Sequence, residues 1–84
     1  MTLDEARKAC GFADSFARVD RMVEAFVALP RREGFVLLGE QWSDCDRIGR
    51  WRSVLRDILR SASREELDLM MTGAERTALA KLPA

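Results

Sequence analysis

Eighty-four residues supply one domain with a modest core that buries roughly 60% of the surface its unfolded chain exposes, and a content of 48% hydrophobic and 33% charged residues excludes a disordered or low-complexity chain. Fourteen basic and fourteen acidic residues cancel, so the molecule is neither a polyanion nor a general cation seeking phosphate, and any electrostatic role is local. No run approaches the roughly 20 apolar residues of a membrane span, and Met1-Thr2-Leu3-Asp4-Glu5 lacks the basic-then-apolar pattern of a secretory signal, which points to the cytoplasm.

Thr2-Leu3-Asp4-Glu5 has capping-box spacing, in which the threonine oxygen accepts from the first-turn backbone and the glutamate reaches back to the cap, so a short helix begins there. Cys10-Gly11 ends it, because glycine is costly inside a helix and easy at its close. From Phe12 the apolar residues Phe12, Phe16, Val19, Val23, Phe26 and Val27 fall within a stripe about 110° wide at helical pitch. This predicts a long helix over 12–29, with Phe16 near the centre of its buried face, ended by Leu29-Pro30. Phe35-Val36-Leu37-Leu38 fits a strand or a helical turn by period. It is read as helix because no second strand pattern exists to pair with it.

Ser43-Asp44-Cys45-Asp46 resembles a cap. Ile48, Trp51, Leu55, Ile58, Leu59 and Ala62 then form one apolar face about 100° wide, giving a second long helix over 44–61 with Leu55 central. Ser63-Arg64-Glu65-Glu66 and Thr72-Gly73-Ala74-Glu75 repeat the capping-box spacing and predict two short helices, 64–71 and 73–81. The expectation is a single all-α domain over 1–84, a small bundle of about four to six helices, two of them long (about 12–29 and 44–61).

Catalytic chemistry is poorly provided for. The chain has no His, Tyr or Asn, which removes the commonest general base and metal ligand and every Cys–His or Ser–His nucleophile pair. Cys10 and Cys45 lack metal-ligand spacing and are read as reduced thiols packed as small apolar groups. Glu40, Asp44 and Asp46 have no recognisable cation-loop motif, and helix capping accounts for the two aspartates more simply. The reading is of no catalytic residue, no metal site and no cofactor.

The candidate working surface lies elsewhere. Arg52, Arg56, Arg60 and Arg64 recur every four residues, a spacing that drifts about 40° per step along one flank of a helix and sets like charges against each other by a few tenths of a kcal/mol per pair. One reading is a solvated face offset by Glu65, Glu66, Asp68 or the acids of neighbouring helices. The other is a ribbon that binds phosphates or carboxylates through the planar fork of arginine. Trp42 and Trp51 would stand on opposite sides of one continuous helix, so Trp42 is either buried by a chain break near Ser43 or exposed beside the ribbon as a binding anchor. Met70 and Met71, beside Leu67 and Leu69, are read as core.

Leu38-Gly39-Glu40-Gln41-Trp42-Ser43 and Met71-Thr72-Gly73-Ala74-Glu75-Arg76-Thr77-Ala78-Leu79-Ala80-Lys81-Leu82-Pro83 resemble the helical leader of certain phage and prophage proteins. In those proteins the leader runs into a Tyr-Arg-Gly segment similar to ADP-ribosyltransferases. The resemblance implies a phage origin, and no catalytic residue carries over because the enzyme-like part has no counterpart in these residues. Gly39, Ser43, Ile48, Arg50 and Trp51 are similar to pieces of a helix-turn-helix, with offsets one or two residues from that pattern.

Together these features point to a non-enzymatic protein-binding module with Trp42, Arg52, Arg56, Arg60 and Arg64 as partner-binding residues. The phage-like wording suggests an inhibitor of a host defence or nucleoprotein complex, of the anti-CRISPR kind, acting in the host cytoplasm. The alternative is a small DNA-binding regulator, for which direct nucleic-acid contact by the arginine-rich helix counts in favour and the neutral net charge against.

Overall fold

The computed structural model describes residues 1–43 and 52–82, and within them the chain is all-α, with no strand. Five helices follow in order: α1 (Leu3–Gly11), α2 (Ser15–Ala28), α3 (Arg31–Glu40), α4 (Arg52–Ser61) and α5 (Arg64–Ala80). Short polar signals set their starts. The Thr2 hydroxyl accepts from the Glu5 amide at 3.2 Å and the Glu5 carboxylate accepts from the Thr2 amide at 3.3 Å. The same reciprocal pair forms between Ser63 and Glu66, at 3.1 and 2.8 Å. Asp14 caps α2 by accepting from the Ala17 amide at 2.9 Å. Each contact satisfies a first-turn donor that the helix itself leaves without an acceptor.

The run Phe35-Val36-Leu37-Leu38 is helical, and α3 is the central element. Gly34, Phe35, Leu37, Leu38 and Gly39 are all buried, because α3 is covered by α1 and α2 on one side and by α5 on the other. From Gly34 to Gly39 the helix is apolar all round and mostly buried, with its charged residues confined to the two ends, which is why its sequence carries so weak a period. Around it lie Ala6 and Cys10 of α1, Val19, Met22 and Ala25 of α2, Leu29 and Leu55. Phe26 meets Phe35 edge-to-face, with centroids 5.2 Å apart, a favoured arrangement of aromatic quadrupoles.

Two glycines set the α3–α5 crossing. A Cβ on Gly39 would lie 1.8 Å from the carbonyl oxygen of Met70, and one on Gly73 would lie 2.2 Å from that of Val36. Only hydrogen fits at either point, so the two backbones approach more closely than side chains permit. This corrects the expectation of two short helices over 64–71 and 73–81. α5 runs unbroken through Gly73, which is buried mid-helix against α3. Thr72 caps nothing, since its hydroxyl donates to the Asp68 carbonyl one turn back at 3.0 Å.

The face of α2 is corrected as well. Phe12 closes α1 as its C-cap instead of opening the next helix, and α2 starts at Ser15. Of the expected stripe, Val19 is buried and Val23 and Phe26 pack against the core, but Phe12, Phe16 and Val27 are 91%, 59% and 81% exposed, and Met22, Ala25 and Leu29, outside that stripe, are buried. The inward stripe is thus turned about a quarter revolution from the one drawn through Phe12 and Phe16. Five of the six residues of the expected stripe lie within α2, so the break before Ser15 removes only Phe12, and the shift comes from Met22, Ala25 and Leu29, which the stripe left out and the core takes in. The predicted long helix over 44–61 ends as expected at Ser61. Its start, with Cys45, Ile48 and Trp51, lies outside the described residues.

Candidate functional site

α4 has two unlike sides. Leu55 is buried, and Val54, Ile58 and Leu59 are half-buried. Ile58 packs against the core beside Leu55. Arg52, Ser53, Arg56, Asp57 and Arg60 are exposed on the other side. Residues four apart on a helix rise about 6 Å, so the three guanidinium groups share one flank over about 12 Å. Arg64 does not extend that flank. The chain turns at Ala62-Ser63, and Arg64 is the first residue of α5, where it is exposed.

Two of the acids that could neutralise the flank, Glu65 and Glu66, are engaged elsewhere, whereas Asp57 and Asp68 stand exposed. Glu66 pairs with Arg31 and Glu65 with Arg32, the latter at 3.2 Å. The Arg31 hydrogen bond, helped by the Ser63 amide, holds the Glu66 carboxyl below the usual carboxylate range. Arg31 also donates to the Ser61 carbonyl at 3.1 Å and sits over the Phe35 ring, 5.4 Å from its centroid. The first turn of α5 is therefore tied to the first turn of α3. Among the described residues, no ion pair involves Arg52, Arg56, Arg60 or Arg64.

Trp42 follows α3, half-buried and packed against the core. It lies between the two alternatives raised by its sequence position, and among the described residues no cation–π contact joins it to the arginines. Met70 packs on the core, whereas Met71 is 59% exposed. Glu40 is held by Arg7 of α1, which donates from Nη2 at 2.8 Å and from Nε at 3.0 Å, and Arg7 also reaches Asp4 at 3.1 Å. Asp44 and Asp46 lie outside the described residues. Among those described, no cluster of three His, Cys, Asp or Glu residues could hold a metal ion. Cys10 is a free, buried thiol, pushed up in pKa by that burial.

The exposed apolar residues of α2 were missed by the sequence reading because their period matches that of a core stripe. No helix among the described residues is long and apolar enough to cross a membrane. The chain matches no protein-family model, and no characterised protein or solved structure was found to be similar to it.

Proposed function

We propose that this protein is a non-catalytic binding module whose working surface is the basic flank of α4, Arg52, Arg56 and Arg60, and whose partner is a protein with an acidic surface. The observation that carries this reading is that three arginines stand exposed on one flank with no ion pair among the described residues, while Glu65 and Glu66 are engaged by Arg32 and Arg31. Like charges at i, i+4 oppose the helix mildly, and an acidic partner would remove that opposition. Arginine suits the task because its planar fork grips carboxylates bidentately. The half-buried Trp42 and the displaced Arg64 are secondary candidates. The phage-like wording of 38–43 and 71–83 places the module, within this proposal, among small phage-encoded inhibitors of a host defence or nucleoprotein complex, acting in the host cytoplasm.

The test is affinity capture from host-cell extract with wild-type bait and with Arg52→Glu/Arg56→Glu bait, both shown to be helical and equally stable. The proposal expects a protein captured by the wild type to be lost with the double variant, and the melting temperature to hold within a few degrees, since surface substitutions usually shift stability by less than about 0.5 kcal/mol. Equal capture by both baits overturns the choice of surface. Wild-type binding to arbitrary duplex DNA with steep salt dependence supports the regulator instead, because phosphate contacts release counterions.

A further inference from the structure

α4 has few ties to the rest of the fold. Among the described residues it touches the other helices only sparsely, and Leu55 is its one buried side chain. Ile58 and, just past the helix, Ala62 pack at the edge of the same cluster. Polar contact gathers at the last turn, where one side chain of α3, Arg31, reaches across.

The last four carbonyls of a helix find no amide within it to bond. In α4 side chains meet two of them. The Ser61 carbonyl accepts from Nη2 of Arg31 at 3.1 Å, and the Ile58 carbonyl accepts from the Ser61 hydroxyl at 3.0 Å. That hydroxyl oxygen accepts in turn from the same Nη2 at 3.2 Å. A cation at this end also suits the helix dipole. The guanidinium is itself held on its other sides. Its Nε donates to the Glu66 carboxylate in the first turn of α5, and its Cζ stands 5.4 Å from the centroid of the fully buried Phe35 ring. The group that closes the end of α4 is thus fixed against the core of α3.

We propose that Arg31 is the positioning residue of α4: through the two arms of its fork it latches the carboxyl end of that helix to α3 and α5, and so seats the flank of Arg52, Arg56 and Arg60 on the core. That this flank is the working surface rests on the function proposed above, whereas the latch stands on its own contacts. Arginine is needed because its planar fork serves Ser61 and Glu66 at once, where the ammonium of lysine is a point charge on a flexible stem. The neighbouring ion pair provides the contrast. Arg32 binds Glu65 at 3.2 Å, again joining the first turns of α3 and α5, but among the described residues it has no hydrogen bond or ion pair with α4.

Residue-resolved amide hydrogen exchange on the full chain tests the latch by setting Arg31→Gln against Arg32→Gln, with far-ultraviolet circular dichroism checking that each variant is folded. Each removes one positive charge and one ion pair between α3 and α5, so a general stabilising role for these pairs would move both variants alike. The expected result is exchange over 56–61 at least about fivefold faster than wild type in Arg31→Gln and within about twofold of wild type in Arg32→Gln. Arg31→Lys, which keeps the charge and loses the fork, should recover only part of the protection. Three results overturn the proposal: amides over 56–61 that are unprotected in the wild type, equal exchange in the two glutamine variants, or full protection in Arg31→Lys. Arg52→Glu/Arg56→Glu alters neither Arg31 nor its acceptors, so the two readings fail separately. Retained capture from host-cell extract by that double variant sinks the flank and leaves the latch, whereas equal exchange in the two glutamine variants sinks the latch and leaves the flank.

Discussion

Gly39 and Gly73 occupy the points where α3 and α5 come closest, and at each the missing side chain is what allows the contact. A methyl group at Gly39 would have to displace the Met70 carbonyl, and one at Gly73 the Val36 carbonyl. Neither obstacle is the flexible end of a side chain, so relief requires the helices to separate and the layer formed by Leu37, Leu38 and Met70 to open. Gly39→Ala and Gly73→Ala should each cost about 2 kcal/mol or more, at or beyond the middle of the range for overpacked cores. Gly11 serves as the control: nothing lies within 4 Å of a Cβ built there, and Gly11→Ala should leave stability unchanged or raise it by about 0.4–1 kcal/mol through the unfolded chain. Urea unfolding of the three variants makes the comparison. Equal effects at all three positions would mean that the close approach is absent.

At the level of elements, the first turn of α5 concentrates several contacts in four residues. Ser63 and Glu66 cap each other, while Arg31 binds Glu66 and reaches back to Ser61, joining the starts of α3 and α5 to the end of α4. Removing the cap with Ser63→Ala should cost about 1 kcal/mol. Glu66 also makes stability depend on pH, because its folded pKa lies below its unfolded one. Its contribution is fully present above the unfolded value and is lost as pH falls through the folded value. Stability of the wild type should therefore fall on acidification more steeply than that of Glu66→Gln, whose glutamine can be protonated in neither state. Parallel acid limbs in the two profiles would show that the Arg31 contact does not form in solution. Capping signals of this kind were legible in the sequence: Thr2-x-x-Glu5 and Ser63-x-x-Glu66 open helices where expected, because both hydrogen bonds are local. Thr72-x-x-Glu75 has the same spacing and opens nothing, because the non-local α3 contact at Gly73 keeps the helix continuous. Apolar period placed Leu55 correctly in α4, where the helix buries a single face. In α2 it placed Val19, Val23 and Phe26 against the core but set the centre of the face too near Phe16 and Val27, because Met22, Ala25 and Leu29 were left off the stripe. For the basic flank, the arginine spacing on α4 was legible, and the engagement of Glu65 and Glu66 by α3 was not, since it joins residues more than thirty positions apart.

For the molecule as a whole, the question is whether α4, which carries the basic flank, opens with the core or apart from it. Leu55 is the one residue of α4 fully within the central cluster, which also contains Cys10 of α1. Cys10 is fully covered and its thiol is pushed up by burial, so a thiol reagent meets it as a reactive thiolate only after the structure opens. In a Cys45→Ser background, labelling of Cys10 thus measures the opening equilibrium of the α1–α2–α3 layer. Leu55→Ala leaves a cavity expected to cost about 2–5 kcal/mol. If α4 and the layer open together, that loss passes to Cys10 in full, and labelling should accelerate by about 30-fold at the lower end of that range, at one factor of ten per 1.4 kcal/mol. If α4 opens separately, helicity falls on Leu55→Ala while the labelling rate holds. Among the described residues α4 touches the other helices only sparsely and Leu55 is its one buried side chain, which favours the second outcome, with a consequence for the basic flank. Its arginines then stand on a low-stability element that orders further on its partner, and binding bears part of the entropic cost of that ordering. An accelerated Cys10 rate would reverse this, placing the arginines on a platform as stable as the core.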